Sequence, residues 1–237
     1  MGDDGRGEAA GVDDTTRDAL RRSLGTRARR WLLAGTLLAG LLTAVALVAA
    51  AAPAERTFVD LSGAVQSVMS VATPLFGILL VHDSRRESAG VVPTVPGVLL
   101  PAVVIGVAGV VICAATLALS PADGAADPWR HAGTVAVGSV LVQVVAGLVG
   151  TGLGLLLRSR VVAFLATIVL PLGLFGLLDA VDALRPAQPW LTPLGSVRNL
   201  LSGEMSMLRW AQWLSVLLIW GVGLNALGAA VRGRRHP

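Results

Sequence analysis

Apolar and charged positions are segregated along this chain into long blocks. Six stretches, 31–52, 63–81, 97–119, 133–157, 161–178 and 210–231, contain no Asp, Glu, Lys, Arg or His. Each is long enough, or nearly so, for a helix to cross a hydrocarbon core about 30 Å thick. Backbone in lipid must satisfy its own hydrogen bonds, and a helix does so within one segment. The pattern therefore predicts an all-α fold, a polytopic membrane protein with six transmembrane helices. Charged residues make up 14% of the chain, against about 25% in soluble domains. The links are short, so the six spans form one membrane domain with no room for a second globular unit.

Arginine distribution orients the spans. With the N-terminus inside, residues 1–30, 82–96, 158–160 and 232–237 face the cytoplasm and hold fourteen of the arginines, against five in 53–62, 120–132 and 179–209. The positive-inside rule selects this arrangement, with both termini cytoplasmic. The basic balance is thus a topology signal. No basic groove with interleaved aromatics points to nucleic acid. Arg29-Arg30 before an apolar run ending Ala50-Ala51-Ala52-Pro53-Ala54 resembles a twin-arginine signal, but the run of about 21 residues exceeds the usual 7–15.

The polar positions inside and between the blocks sort into a few groups. Residues 1–14 are acidic and Gly-rich and read as a disordered cytoplasmic tail. Over 15–30, Leu20, Leu24, Ala28 and Trp31 share a helical face. That segment is either a basic interfacial helix with Trp31 at headgroup depth or a solvated basic tail. The second span carries Gln66, Ser67, Ser70, Thr73 and Pro74. Its polar side chains predict an interior helix, kinked at the proline. In the fourth span, Ala146, Gly150 and Gly154 recur every four residues, a spacing for close helix packing. Gln66, Gln143 and Asn225 are uncharged polar groups that a substrate path could use. Within 179–209, Val197, Leu200, Leu201 and Leu208, with Met205 near the edge, suggest one or two short amphipathic or re-entrant helices at the outer surface. Trp210, Trp213 and Trp220 read as belt and packing residues.

The cytoplasmic segment 82–96 packs His82, Asp83, Arg85, Arg86 and Glu87 into six positions, then Gly90 and two prolines. It reads as a charged turn anchoring two helix ends or as a short helix that docks a partner.

Candidate chemistry is sparse. All 19 basic residues are arginine. A P-loop needs a lysine to reach the phosphates, so this chain carries no nucleotide site of that kind. It also lacks a lysine for a Schiff base. The single Cys113 forms no internal disulfide. His82, His131 and His236 lie far apart, on loops or the tail, without metal-ligand spacing. The carboxylate pairs Asp179/Asp182 and Asp83/Glu87 read as helix-end charges rather than as an active site. Ion-coupled carriers usually place ionisable groups inside the spans, and all six spans lack them. A secondary carrier, a membrane enzyme and a non-transporting assembly or immunity factor remain as alternatives.

Three features together resemble the permease subunit of an ABC-2 type transporter of actinobacterial type, over about 31–235. They are six spans with both ends inside, a charged link after span two with Glu87-x-x-Gly90, and the run GLVGTGLGLLLRSRVVAFLATIVLPLGLFGLL followed by PWLTPLGSVRNLLSG. Val91 stands where the family tends to have Thr after that glycine. The resemblance implies a multi-pass protein of the bacterial plasma membrane that exports a drug, peptide, lipid or glycan-type substrate. It implies pairing with a second copy or a similar permease, and with separate ATPase subunits that hold ATP and Mg. Asp83, Arg85, Arg86, Glu87 and Gly90 would then couple the spans to the ATPase.

Overall fold

The computed structural model describes residues 26–86, 95–120 and 127–234. The predicted tail 1–14, most of the basic segment 15–30, and Glu87 and Gly90 lie outside them. The described residues are mostly helical, and no strand occurs among them.

Six helices are long and apolar enough to cross a membrane. They are α1 (Arg27–Ala50), α2 (Phe58–Arg86), α3 (Val95–Ala118), α4 (Ala132–Leu156), α5 (Arg160–Asp179) and, last in the chain, α7 (Met207–Gly233). Between α5 and α7 run a 3-10 stretch, Asp182–Ala187, a helical turn, Gln188–Leu191, and the short helix α6 (Pro193–Leu201). Polar side chains mark the helix starts. Ser159, Thr192 and Ser206 each accept a backbone N–H from the first turn of α5, α6 and α7, which satisfies a donor the helix cannot.

The longest helix, α2, has 29 residues, about 43 Å at 1.5 Å per residue. It starts five residues before its apolar block and ends five after it. At its start Thr57 Oγ1 accepts the Asp60 N–H and donates to the Asp60 carboxylate. His82, expected on a loop, belongs to this helix and is buried.

The centre of the bundle is α4, which packs on α2, α3, α5, α6 and α7. Its contact with α2 is the most extensive among the described residues. Small residues make it possible. A Cβ on Gly150 would run into the Pro74 carbonyl, and one on Gly154 would lie 3.1 Å from the Ile78 Cα. From the other side, a Cβ on Gly77 would sit 2.5 Å from Thr151 Oγ1. Around this crossing Val65, Met69, Ile105, Val142, Val149 and Leu153 form the buried core.

The last span is not one regular helix. Leu217–Gly223 is π-helical. Asn225 donates from Nδ2 to the Gly221 carbonyl inside that stretch, at 2.6 Å, and to Leu148 of α4 at 2.8 Å. The apolar face expected over 197–208 is divided. Leu200 and Leu201 of α6 are buried, whereas Leu208 belongs to α7 and is exposed. The break falls between Ser202 and Ser206, where Gly203 adopts a φ of 77° that favours glycine.

Candidate functional site: a charged clamp and a lateral cavity

At one end of the bundle α1, α2, α4 and α5 are tied together by polar side chains. Asp83 of α2 accepts from Arg29 of α1 at 2.5 Å and from Arg160 of α5 at 3.2 Å. Arg29 is only 4% exposed, so its charge is carried by this contact within protein rather than by bulk water. Two residues along, Arg85 spreads its guanidinium over the end of α4. It donates to the carbonyls of Leu157 at 3.1 Å, Gly154 at 2.9 Å and Leu155 at 2.7 Å. The last carbonyls of a helix lack intrahelical partners and carry partial negative charge. A fork of N–H donors suits that target. His82 stands with one ring nitrogen 2.9 Å from its own helix at the Ile78 carbonyl and the other 2.9 Å from the Arg158 carbonyl.

Two of the five residues expected to couple the spans to a partner, Asp83 and Arg85, therefore converge here, on intramolecular partners. Arg86 closes α2, and Glu87 and Gly90 follow beyond the described residues. Neither Arg29 nor Arg160 was expected at a site from sequence: both count toward orientation, and Arg29 otherwise enters only through the twin-arginine resemblance.

The groups expected along a path form a closed set in the interior. Gln143 donates to the Gln66 side-chain oxygen at 2.8 Å and to its backbone carbonyl at 3.1 Å. Thr73 donates to Gln143 Oε1 at 2.6 Å, and Gln66 donates to the Gly106 carbonyl of α3 at 3.2 Å. Both glutamines are completely buried. In this arrangement they hold α2, α3 and α4 together, and a path would have to open them. Asn225 joins α7 to α4, as described above. Of the small residues expected to pack, Gly150 and Gly154 meet α2, while Ala146 faces a cavity.

That cavity, about 420 Å³, lies between α2, α4, α5 and α6. Its walls are Val71 and Pro74 of α2, Val142, Val145, Ala146 and Val149 of α4, Ile168, Pro171 and Leu172 of α5, and Pro193, Leu194 and Val197 of α6. Ser67, Ser70, Thr167 and Arg198 add polar atoms. The two helix-interior prolines account for part of this chemistry. Proline donates no N–H, so Pro74 and Pro171 leave the carbonyls of Ser70 and Thr167 without their usual helical partner. Both freed carbonyls belong to residues that line the cavity. The mouth is marked by Val71 and Leu172, each half exposed. The prolines were visible in the sequence; their meeting across one cavity was not.

The far end of the bundle, away from the clamp, carries its charges differently. Arg185 pairs with Asp179 and Asp182, all exposed, in keeping with helix-end charges. Arg209 pairs with Glu204. Arg198, at the edge of the cavity, lies over the Phe175 ring at 5.2 Å. Among the described residues no carboxylate pairs with it. Nor is there a group of three or more His, Cys, Asp or Glu among them that would hold a metal. Trp213 is buried against Trp210 edge to face, and Trp220 donates to the Leu191 carbonyl.

Comparison of the chain with protein-family models, with curated proteins and with solved structures finds no match.

Proposed function

We propose that this chain is the permease subunit of an ATP-driven ABC-2 type exporter in a bacterial plasma membrane, with its arginine-rich end in the cytoplasm. Separate subunits bind and hydrolyse ATP, and a second copy or a similar permease completes the pore. The observation that carries this reading is the clamp. Helix α2 is about 43 Å long, more than the roughly 30 Å hydrocarbon core requires. Its overhanging end is tied to α1, α4 and α5 through Asp83, Arg85 and His82. The charged link with Glu87 and Gly90 follows directly. A push on that link reaches four spans at once.

Two features of the sequence favour an external energy source. The chain has no lysine and hence no P-loop of its own, and its apolar blocks hold no ionisable group for ion coupling. The resemblance of residues 31–235 to ABC-2 permeases adds the same partner.

The test is affinity isolation of the tagged protein from its native membrane, followed by identification of bound chains and ATPase assay. A stoichiometric P-loop ATPase is expected, and Glu87→Ala is expected to lower ATPase stimulation without loss of membrane insertion. Isolation of the intact protein alone under gentle conditions, with transport driven by a proton gradient, overturns the reading in favour of a secondary carrier.

A further inference from the structure

We infer that the lateral cavity binds an amphiphile with an anionic head and a single hydrocarbon chain, the head held by Arg198. Four observations converge on this ligand. The cavity is about 420 Å³, toward the small end of the roughly 300–1,000 Å³ of ligand sites, which suits one chain rather than two. Its walls are mostly Val, Leu, Ile, Ala and Pro, the lining that a hydrocarbon needs. Its mouth opens past Val71 and Leu172 on the flank of two membrane-crossing helices, so the ligand enters sideways from lipid. The cation at its edge has an aromatic face for company, whereas Arg185 and Arg209 each lie within 4 Å of a carboxylate.

A guanidinium at an apolar rim favours a carboxylate or phosphate, which it engages through two parallel N–H donors. Phe175 keeps the cation over the apolar end without neutralising it. A zwitterionic or neutral head lacks the net charge to compensate Arg198. The binding claim stands on the cavity and Arg198 alone; that the bound amphiphile is exported cargo rests on the permease reading.

The experiment uses the full chain in nanodiscs of phosphatidylcholine, loaded with equal amounts of a long-chain alkyl phosphate and the alkyl phosphocholine of the same chain. Native mass spectrometry reads the ratio of the two retained on the protein. The expected ratio favours the phosphate by about tenfold, the scale of a charge-assisted contact. Arg198→Gln is expected to bring it to near one, and Arg209→Gln, on the Glu204-paired arginine, to leave it unchanged. Ala146→Trp, which fills the cavity, is expected to lose both lipids, and Leu172→Trp at the mouth gives the same reading if the first variant does not insert.

A ratio near one in the unaltered protein, or no response to Arg198→Gln, overturns the inference. If the protein is released as a dimer that Leu172→Trp splits, with lipid retention unchanged, the face seats a second copy and the lipid assignment falls. None of these readouts requires an ATPase, so failure of the partner search and failure of lipid binding are separate results.

Discussion

Helices α2 and α5 both cross the bundle beside α4, yet they are held in opposite ways. Half of the most apolar window of α2 is buried, against 17% of that of α5. Along α2 the contact is continuous: glycines admit backbone to backbone at Gly150 and Gly154, and Gln66, Thr73 and Gln143 add hydrogen bonds. Helix α5 is tied at its beginning by Arg160 to Asp83, and Gln188 reaches the Phe175 carbonyl near its end. Between those ties the cavity intervenes, and Gly173 and Gly176 have open space where a Cβ would stand. In lipid, apolar surface gains nothing by meeting apolar surface, so association depends on close packing and polar contacts. The difference separates a closely packed part of the molecule, α2 with α4, from a part whose middle is loosely packed beside a cavity.

Substitutions can break that contrast at its strongest point first. Gly150→Leu forces a side chain into the Pro74 carbonyl, backbone that cannot step aside. The expected loss exceeds about 3 kcal/mol, the upper range of overpacking, and appears as loss of monodisperse protein in detergent. Well-folded protein with an unchanged unfolding midpoint would remove the claim that this crossing is closely packed.

Next in size is Asp83→Ala. It deletes the carboxylate shared by Arg29 and Arg160, and the expected cost is about 2 kcal/mol, the scale of hydrogen bonds to charged groups. Thermal unfolding in detergent measures it. Because the tie of α5 to α2 goes with it, hydrogen exchange is expected to rise at the start of α5 and to stay unchanged in the α2–α4 crossing.

The smallest effect is expected for Gly173→Leu, within about 0.5 kcal/mol, since no atom within 4 Å opposes it. Stability of the isolated chain is the first measurement. A neutral result there, with loss of assembly in native membranes, would sharpen the comparison by showing that a partner covers α5.

Much of the fold was legible in the sequence because lipid imposes its demands residue by residue. Charge-free blocks mark the spans wherever packing leads. Their ends were harder to read. The charges at Asp60 and at His82–Arg86 look like stops, but α2 runs through them because Thr57 caps its start and partners from three other helices meet its end. The π-helical stretch Leu217–Gly223 has no signature among its apolar residues. Gln66 and Gln143 were recognisable as polar groups within spans and were read as lining a possible path, whereas their bonding to each other depends on a register that sequence does not state. The same holds for the cavity. Pro74, Pro171 and Arg198 are individually conspicuous, but only packing brings them round one space.

The cavity also has a place in the order of synthesis. Chains emerge N-terminus first. Arg85 is made long before the α4 carbonyls it holds, 69 to 72 positions later, so this contact can form once α4 is complete, while the tie from Asp83 to Arg160 waits for the start of α5. The cavity's fourth wall, Pro193–Arg198, is made after the other three. Until then the gap between α2, α4 and α5 lacks that wall, and the amphiphile inferred above would find its place before the wall arrives. Protein isolated after biogenesis would then carry that lipid as a molecule acquired at birth, and its identity would record the membrane in which the chain was made.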